Sequence, residues 1–131
     1  MEYEIFTICD NAQNYNGKLV IVGTFDTIFS QSFPLTYDAF SLAVKINCPT
    51  NEFKDGTLQV NLKNEKNGED VCTPITANVP IDKSISSQTL TLVLNFNKVL
   101  FTEPGEYFIE LKFNGDTRYR KLHLILPKNP Q

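Results

Sequence analysis

Tryptophan is absent from this 131-residue chain, and methionine and histidine occur once each. A single histidine, His123, excludes a His-Glu-x-x-His metalloprotease pair and any histidine-rich zinc site. Six glycines leave no Gly-rich phosphate loop and no Gly-x-Ser-x-Gly nucleophile elbow. The apolar runs are short and interrupted, so none spans a bilayer as a helix. No Asn-x-Ser/Thr sequon occurs, although asparagine is frequent. There is also no basic excess. Twelve Lys and Arg against fifteen Asp and Glu give a net charge of −3, which removes the electrostatic basis for general nucleic-acid binding.

Cysteine is sparse too. Cys9, Cys48 and Cys72 are far apart, and an odd count does not pair completely within one chain. Three reduced thiols in a cytoplasmic protein is the simplest reading. The start, Met1-Glu2-Tyr3-Glu4, carries acids where a secretory signal carries positive charge. The length suits one domain, and 41% hydrophobic with 21% charged residues are globular proportions. The expectation is a single domain over 1–126 with a short tail over 127–131.

What is present is punctuation and alternation. Five glycines sit in turn dipeptides, among them Asn16-Gly17, Asp55-Gly56 and Asn114-Gly115. Asn and Gly reach positive φ cheaply, as two-residue hairpins require. Between the turns the apolar period is two. Phe40, Leu42, Val44, Ile46 and Cys48 alternate with small or polar residues, and so do Leu58, Val60 and Leu62. Leu90, Leu92, Leu94 and Phe96 repeat the pattern, as do Tyr107, Ile109, Leu111 and Phe113. The spacing predicts about eight strands, near 2–10, 18–30, 37–48, 57–64, 71–79, 88–99, 106–114 and 117–126. Strand 18–30 is apolar on both faces and is expected to be central or covered. Pro74 places strand 71–79 at an edge. Helix should be scarce or absent. An all-β, antiparallel, two-sheet sandwich buries such strands best.

The N-terminal third carries a pattern: Cys9-Asp10-x-Ala12, then Gly17-Lys18-Leu19, then Gly23-x-Phe25-Asp26-x-Ile28, then Phe33-Pro34. It resembles a family of small, uncharacterised bacterial β-sandwich proteins. Pro104-Gly105-x-Tyr107 looks like that family's C-terminal part. The resemblance implies a fold and a bacterial source, and no activity.

The candidate site residues are Asp10, Asn11, Lys18 and Asp26. The Asn14–Gly17 turn is expected to bring Asp10 near Lys18 as a small polar site; otherwise these residues only finish strands and bond turn amides. Gly23, alone outside a turn dipeptide, suggests a bulge or a close approach. Scattered loop aspartates raise a calcium- and lipid-binding domain of the C2 type, but no Asp-x-Asp cluster supplies its ligands. No metal or cofactor is expected. Charge is uneven: residues 1–44 hold five acids and one base, residues 112–131 five bases and one acid. Arg118 and Arg120, flanking Tyr119, therefore form a candidate surface for an anionic partner, unless the two termini simply neutralise each other. The function expected is a non-catalytic binding module. Its partner is a protein, or a second copy meeting it at a sheet edge. The alternative is a ligand-binding or enzymatic domain around Asp10, Lys18 and Asp26.

Overall fold

The computed structural model describes residues 1–128. Of the expected tail, 129–131 lie outside the described residues. Among the described residues nine strands form: β1 (Glu2–Tyr15), β2 (Lys18–Thr24), β3 (Thr27–Phe29), β4 (Leu35–Pro49), β5 (Thr57–Asn64), β6 (Ile75–Asn78), β7 (Ser87–Phe101), β8 (Gly105–Phe113) and β9 (Asp116–Ile125). One 3-10 turn, Thr50–Glu52, follows β4. Two sheets pack face to face, ordered β2-β1-β4-β7 and β3-β9-β8-β5-β6. The chain is thus an all-β two-sheet sandwich.

The alternating residues fill the space between the sheets. Phe40, Leu42, Val44 and Ile46 of β4 meet Leu58, Val60 and Leu62 of β5 and Tyr107, Ile109, Leu111 and Phe113 of β8 in one core. Each such side chain contributes roughly 1.5–3 kcal/mol through burial. Aromatic pairs lock the layers, with Phe40 stacked on Phe96 at 4.9 Å and Phe101 edge-on to Tyr107 at 5.1 Å. The Tyr107 hydroxyl donates to the Glu103 carbonyl at 2.7 Å, so the buried ring leaves no orphaned polar atom.

Two features differ from the pattern read in the sequence. The expected strand 18–30 is two strands in different sheets, because the chain leaves the first sheet after Thr24 and enters the second at Thr27. There β3 pairs parallel with β9, Thr27 opposite His123, while the other strand pairings are antiparallel. Alternation within a strand cannot register a change of sheet. Second, β2 is neither central nor covered on both faces; it is an edge strand of its sheet. β6 does lie at an edge, just after Pro74.

β2 and the second half of β1 form a folded-over hairpin. β1 pairs with β4 only as far as Cys9 opposite Ser41, then continues with β2 alone. Ala12, Leu19 and Ile21 pack with Cys9, Ala43 and Val93 on the outer side of the first sheet. The Asn14 amide reaches across to the Thr91 carbonyl in β7 at 3.2 Å. Cys9 and Ala12, three residues apart, bury on the same side, so alternation breaks between them. Gly23, with φ +66°, stands opposite this break. A glycine takes that conformation without steric cost.

Candidate functional site: a lateral cleft at the sheet crossover

The crossover Thr24–Phe25–Asp26 ties the two sheets together. The Phe25 amide donates to the Ile8 carbonyl at 3.0 Å, and the His123 amide donates to the Asp26 carbonyl at 2.8 Å. Beyond this corner the sandwich side is open. β2 pairs with β1 only from Cys9 onward, and β3 pairs with β9 only over His123–Ile125. Among the described residues, Glu2–Thr7 of β1 and Asp116–Leu122 of β9 therefore have no strand partner on that side.

Two arginines span the gap. Arg120 donates its Nε proton to the Phe6 carbonyl at 2.6 Å, with the guanidinium 5.1 Å from the Phe6 ring centre. Arg118 lies 4.8 Å over the Tyr3 ring and donates to Asp116 at 3.0 Å. Both use the flat guanidinium as a cover for an aromatic face as well as a donor. Above them opens a cleft of about 600 Å³, lined by Thr7, Thr24, Phe25, Asp26, Tyr119, Arg120, Lys121 and His123. His123 Nδ1 meets the Glu106 carboxylate beside it, and Lys121 lies 3.8 Å from Glu65.

The sequence-predicted residues Asp10, Asn11, Lys18 and Asp26 do not come together in one site. Asp26 lines the lateral cleft, its carboxylate accepting from the Thr27 hydroxyl at 2.9 Å. Asp10 lines a second hollow of about 350 Å³ with Gly23, Phe29 and Tyr37, and Thr24 and Phe25 form the wall shared by both. Burial first, and then the Asp10 charge, push the Tyr37 hydroxyl above its ordinary value. Asn11 only accepts from the Gln13 amide at 3.1 Å. Lys18 is not near Asp10. It stands opposite Tyr15, five residues further along the hairpin, on the order of 15 Å away at strand rise. The turn lies between Tyr15 and Lys18, and the length of hairpin between it and Asp10 keeps the two residues apart.

The chemistry available is recognition through backbone edges, guanidinium groups and a mixed-charge wall. Among the described residues, no group of three His, Cys, Asp or Glu side chains stands close enough to hold a metal ion. Cys9 lies under the hairpin on the first sheet and His123 on β9 of the second, so they belong to different layers. Sequence reasoning named the basic strand around Tyr119 but missed Phe25 and the open backbone edge that the crossover leaves beside that strand. The apolar-to-polar step at Phe25-Asp26 was the available signal.

These observations define a β-sandwich with one laterally open corner. A family model matches residues 4–124, and the chain belongs to that family, DUF6941, a family of unknown function. A search among curated proteins found no match. No helix among the described residues is long and apolar enough to cross a membrane.

Proposed function

We propose that the chain is a non-catalytic binding module that takes an extended segment of a protein partner onto the free edge of β9. The supporting observation is the direction of the backbone groups there. The His123 amide and the Ile125 carbonyl already point away from β8, to Asp26 and Ser30. Strand alternation puts the N–H and C=O of Tyr119 and Lys121 on the same side, along the cleft. A guest strand there would continue the line of β3, and strand addition of this kind gives affinity through main-chain bonds. The basic side chains Arg118, Arg120 and Lys121 favour an acidic guest. The three free thiols support a reducing, cytoplasmic setting, and the N-terminal sequence pattern supports a bacterial source.

The alternative is a small polar ligand or substrate held near Asp10 and Asp26. The two carboxylates flank Phe25, which favours it, but Lys18 lies at the far end of the hairpin and supplies no charge there.

A displayed library of extended peptides supplies the probe. Selected peptides are expected to be acid-rich and to lose at least tenfold in affinity on Lys121→Pro, which removes the edge-facing N–H without breaking a bond to β8. Unchanged circular dichroism would show that the variant stays folded. Selected peptides that bind Lys121→Pro as tightly as wild type, or a selection that returns none, would refute strand addition at β9.

A further inference from the structure

The folded-over hairpin accounts for only one face of β2. Leu19 and Ile21 cover the first sheet, yet Val20 and Val22 remain 47% and 56% exposed, beside Tyr15 at 59%. The same strand presents an unpaired backbone edge. Edge strands are ordinarily blunted by charge, proline, irregularity or shortness. β6 is four residues long and follows Pro74, β3 is three residues long, β7 is interrupted by Lys98 at φ +50°, and β9 carries two arginines. Between Leu19 and Val22, β2 has none of these devices; its one charge, Lys18, and its one irregularity, Gly23 at φ +66°, lie toward its two ends.

We propose that two copies of the chain join through β2, edge to edge and antiparallel, about a twofold axis at Ile21. The sequence Lys18–Thr24 is self-complementary in that register. Val20 of one copy falls opposite Val22 of the other, so four valines form one cross-strand patch in place of two solvated ones. Lys18 falls opposite Thr24, which keeps the two ammonium groups at opposite ends of the junction. A twofold pairing uses the same surface on both copies and closes, so it yields a dimer rather than a fibre. The result is a continuous four-stranded ribbon, β1-β2 of one copy with β2-β1 of the other. This surface meets the β9 cleft only at Thr24, and the dimer does not depend on what that cleft binds.

The junction is seven residues long, about 23 Å at strand rise. A single strand pair with four valines is a small contact, so the dimer belongs with the weak, reversible class that buries less than roughly 1,200 Å². Sedimentation of the full chain from micromolar to millimolar concentration tests it. Wild type is expected to pass from monomer to dimer within that range. The double variant Val20→Lys with Val22→Lys is expected to weaken the dimer at least tenfold while keeping wild-type circular dichroism, since both side chains are solvated in the monomer. Leu100→Lys, at an exposed position on β7, is expected to leave the dimer unchanged. Should the double lysine variant misfold, register offers a second test on a Cys72→Ser background. A mixture of Val20→Cys and Val22→Cys chains is expected to cross-link faster than either alone. A wild-type chain that stays monomeric to millimolar concentration overturns the proposal. So does a dimer that survives the two lysines, or cross-linking with no preference for the mixed pair.

Discussion

The carboxylate of Asp10 lies directly over Gly23. A Cβ placed on Gly23 would stand 2.5 Å from Asp10 Oδ2 and 3.1 Å from its Cγ. The pair sits where the hairpin leaves the first sheet, and Gly23 holds φ +66° there. The positive φ demands glycine, and a Cβ there would also push the exposed Asp10 carboxylate aside.

Gly23→Ala is therefore expected to destabilise the fold by about 1–3 kcal/mol, from the left-handed conformation and the contact together. Urea denaturation measures it. Pairing it with Asp10→Ala relieves the contact but not the backbone strain, so the double variant should recover part of the loss and not all of it. Full recovery would mean that the conformation of Gly23 costs nothing.

This pair also marks where the sequence stopped being readable. The strands over Phe40–Cys48, Leu58–Leu62 and Tyr107–Phe113 were legible because each keeps one face to one core, and period two records that. The glycine at 23 was legible as an irregularity. Its consequence was not, since a fold-over changes which neighbour a face meets without changing the local pattern. The apolar residues of 18–30 read as one buried strand. Leu19 and Ile21 serve the hairpin's packing, Ile28 serves the main core, and Val20 and Val22 serve neither. Asp26 and Arg120 were both named from the sequence, but only the crossover brings them to one cleft. Asp10 and Lys18 share a hairpin, and distance along it keeps them apart.

The three thiols should titrate in two classes. Cys9 and Cys48 are fully buried, whereas Cys72 is half-buried, and all three are free. Burial is the main cause that raises each thiol above its ordinary value; Asp10 adds to it at Cys9 and Asp70 at Cys72, while the N-terminal ammonium works against it at Cys48. A chromogenic disulfide reagent at neutral pH is expected to modify one thiol in the native protein, slowly, and three after denaturation. Cys72→Ser should remove the native signal. A second reactive thiol in the folded chain would mean that the cover over Cys9 or over Cys48 opens readily.

Stability should fall in alkali, and Tyr3 should be one cause. Its hydroxyl is buried without a hydrogen-bond partner among the described residues, and burial pushes its pKa from 10.0 up to about 12. The unfolded chain releases this proton near pH 10, while the folded chain keeps it until about pH 12. The unfolded state then binds fewer protons, so the stability present below pH 10 is lost progressively between the two values. Tyr3→Phe removes both the orphaned hydroxyl and the titration. Its urea midpoint at pH 7 is expected to equal or exceed that of wild type. Between pH 9.5 and 11 the variant should lose less stability than wild type. Parallel pH profiles would assign the alkaline loss to other groups.

The turn between β8 and β9 gives the last prediction. Asn114 and Gly115 hold φ of +55° and +76°, and Phe113 pairs directly with Asp116, so the loop is a two-residue turn with no bulge. Its register puts Arg118, Arg120, Leu122 and Leu124 on the inner face of β9, which is how the arginines come to span the open corner. Nothing lies within 4 Å of a Cβ placed on Gly115. Any cost of Gly115→Val is therefore backbone strain and not a clash, about 1–3 kcal/mol for a β-branched residue at positive φ. Asn114 carries a second load. Its Oδ1 accepts from the amides of Lys54 and Asp55 at 2.6 and 3.1 Å, and its Nδ2 donates to the Glu52 carbonyl at 3.1 Å. Asn114→Gly keeps the turn conformation and removes those ties, so it isolates their contribution, on the order of 1 kcal/mol. Urea midpoints for both variants separate the two effects. A Gly115→Val chain with the wild-type midpoint would show that the turn bears no strain. The inward set of β9, and with it the position of Arg120 against Phe6, would then need another cause.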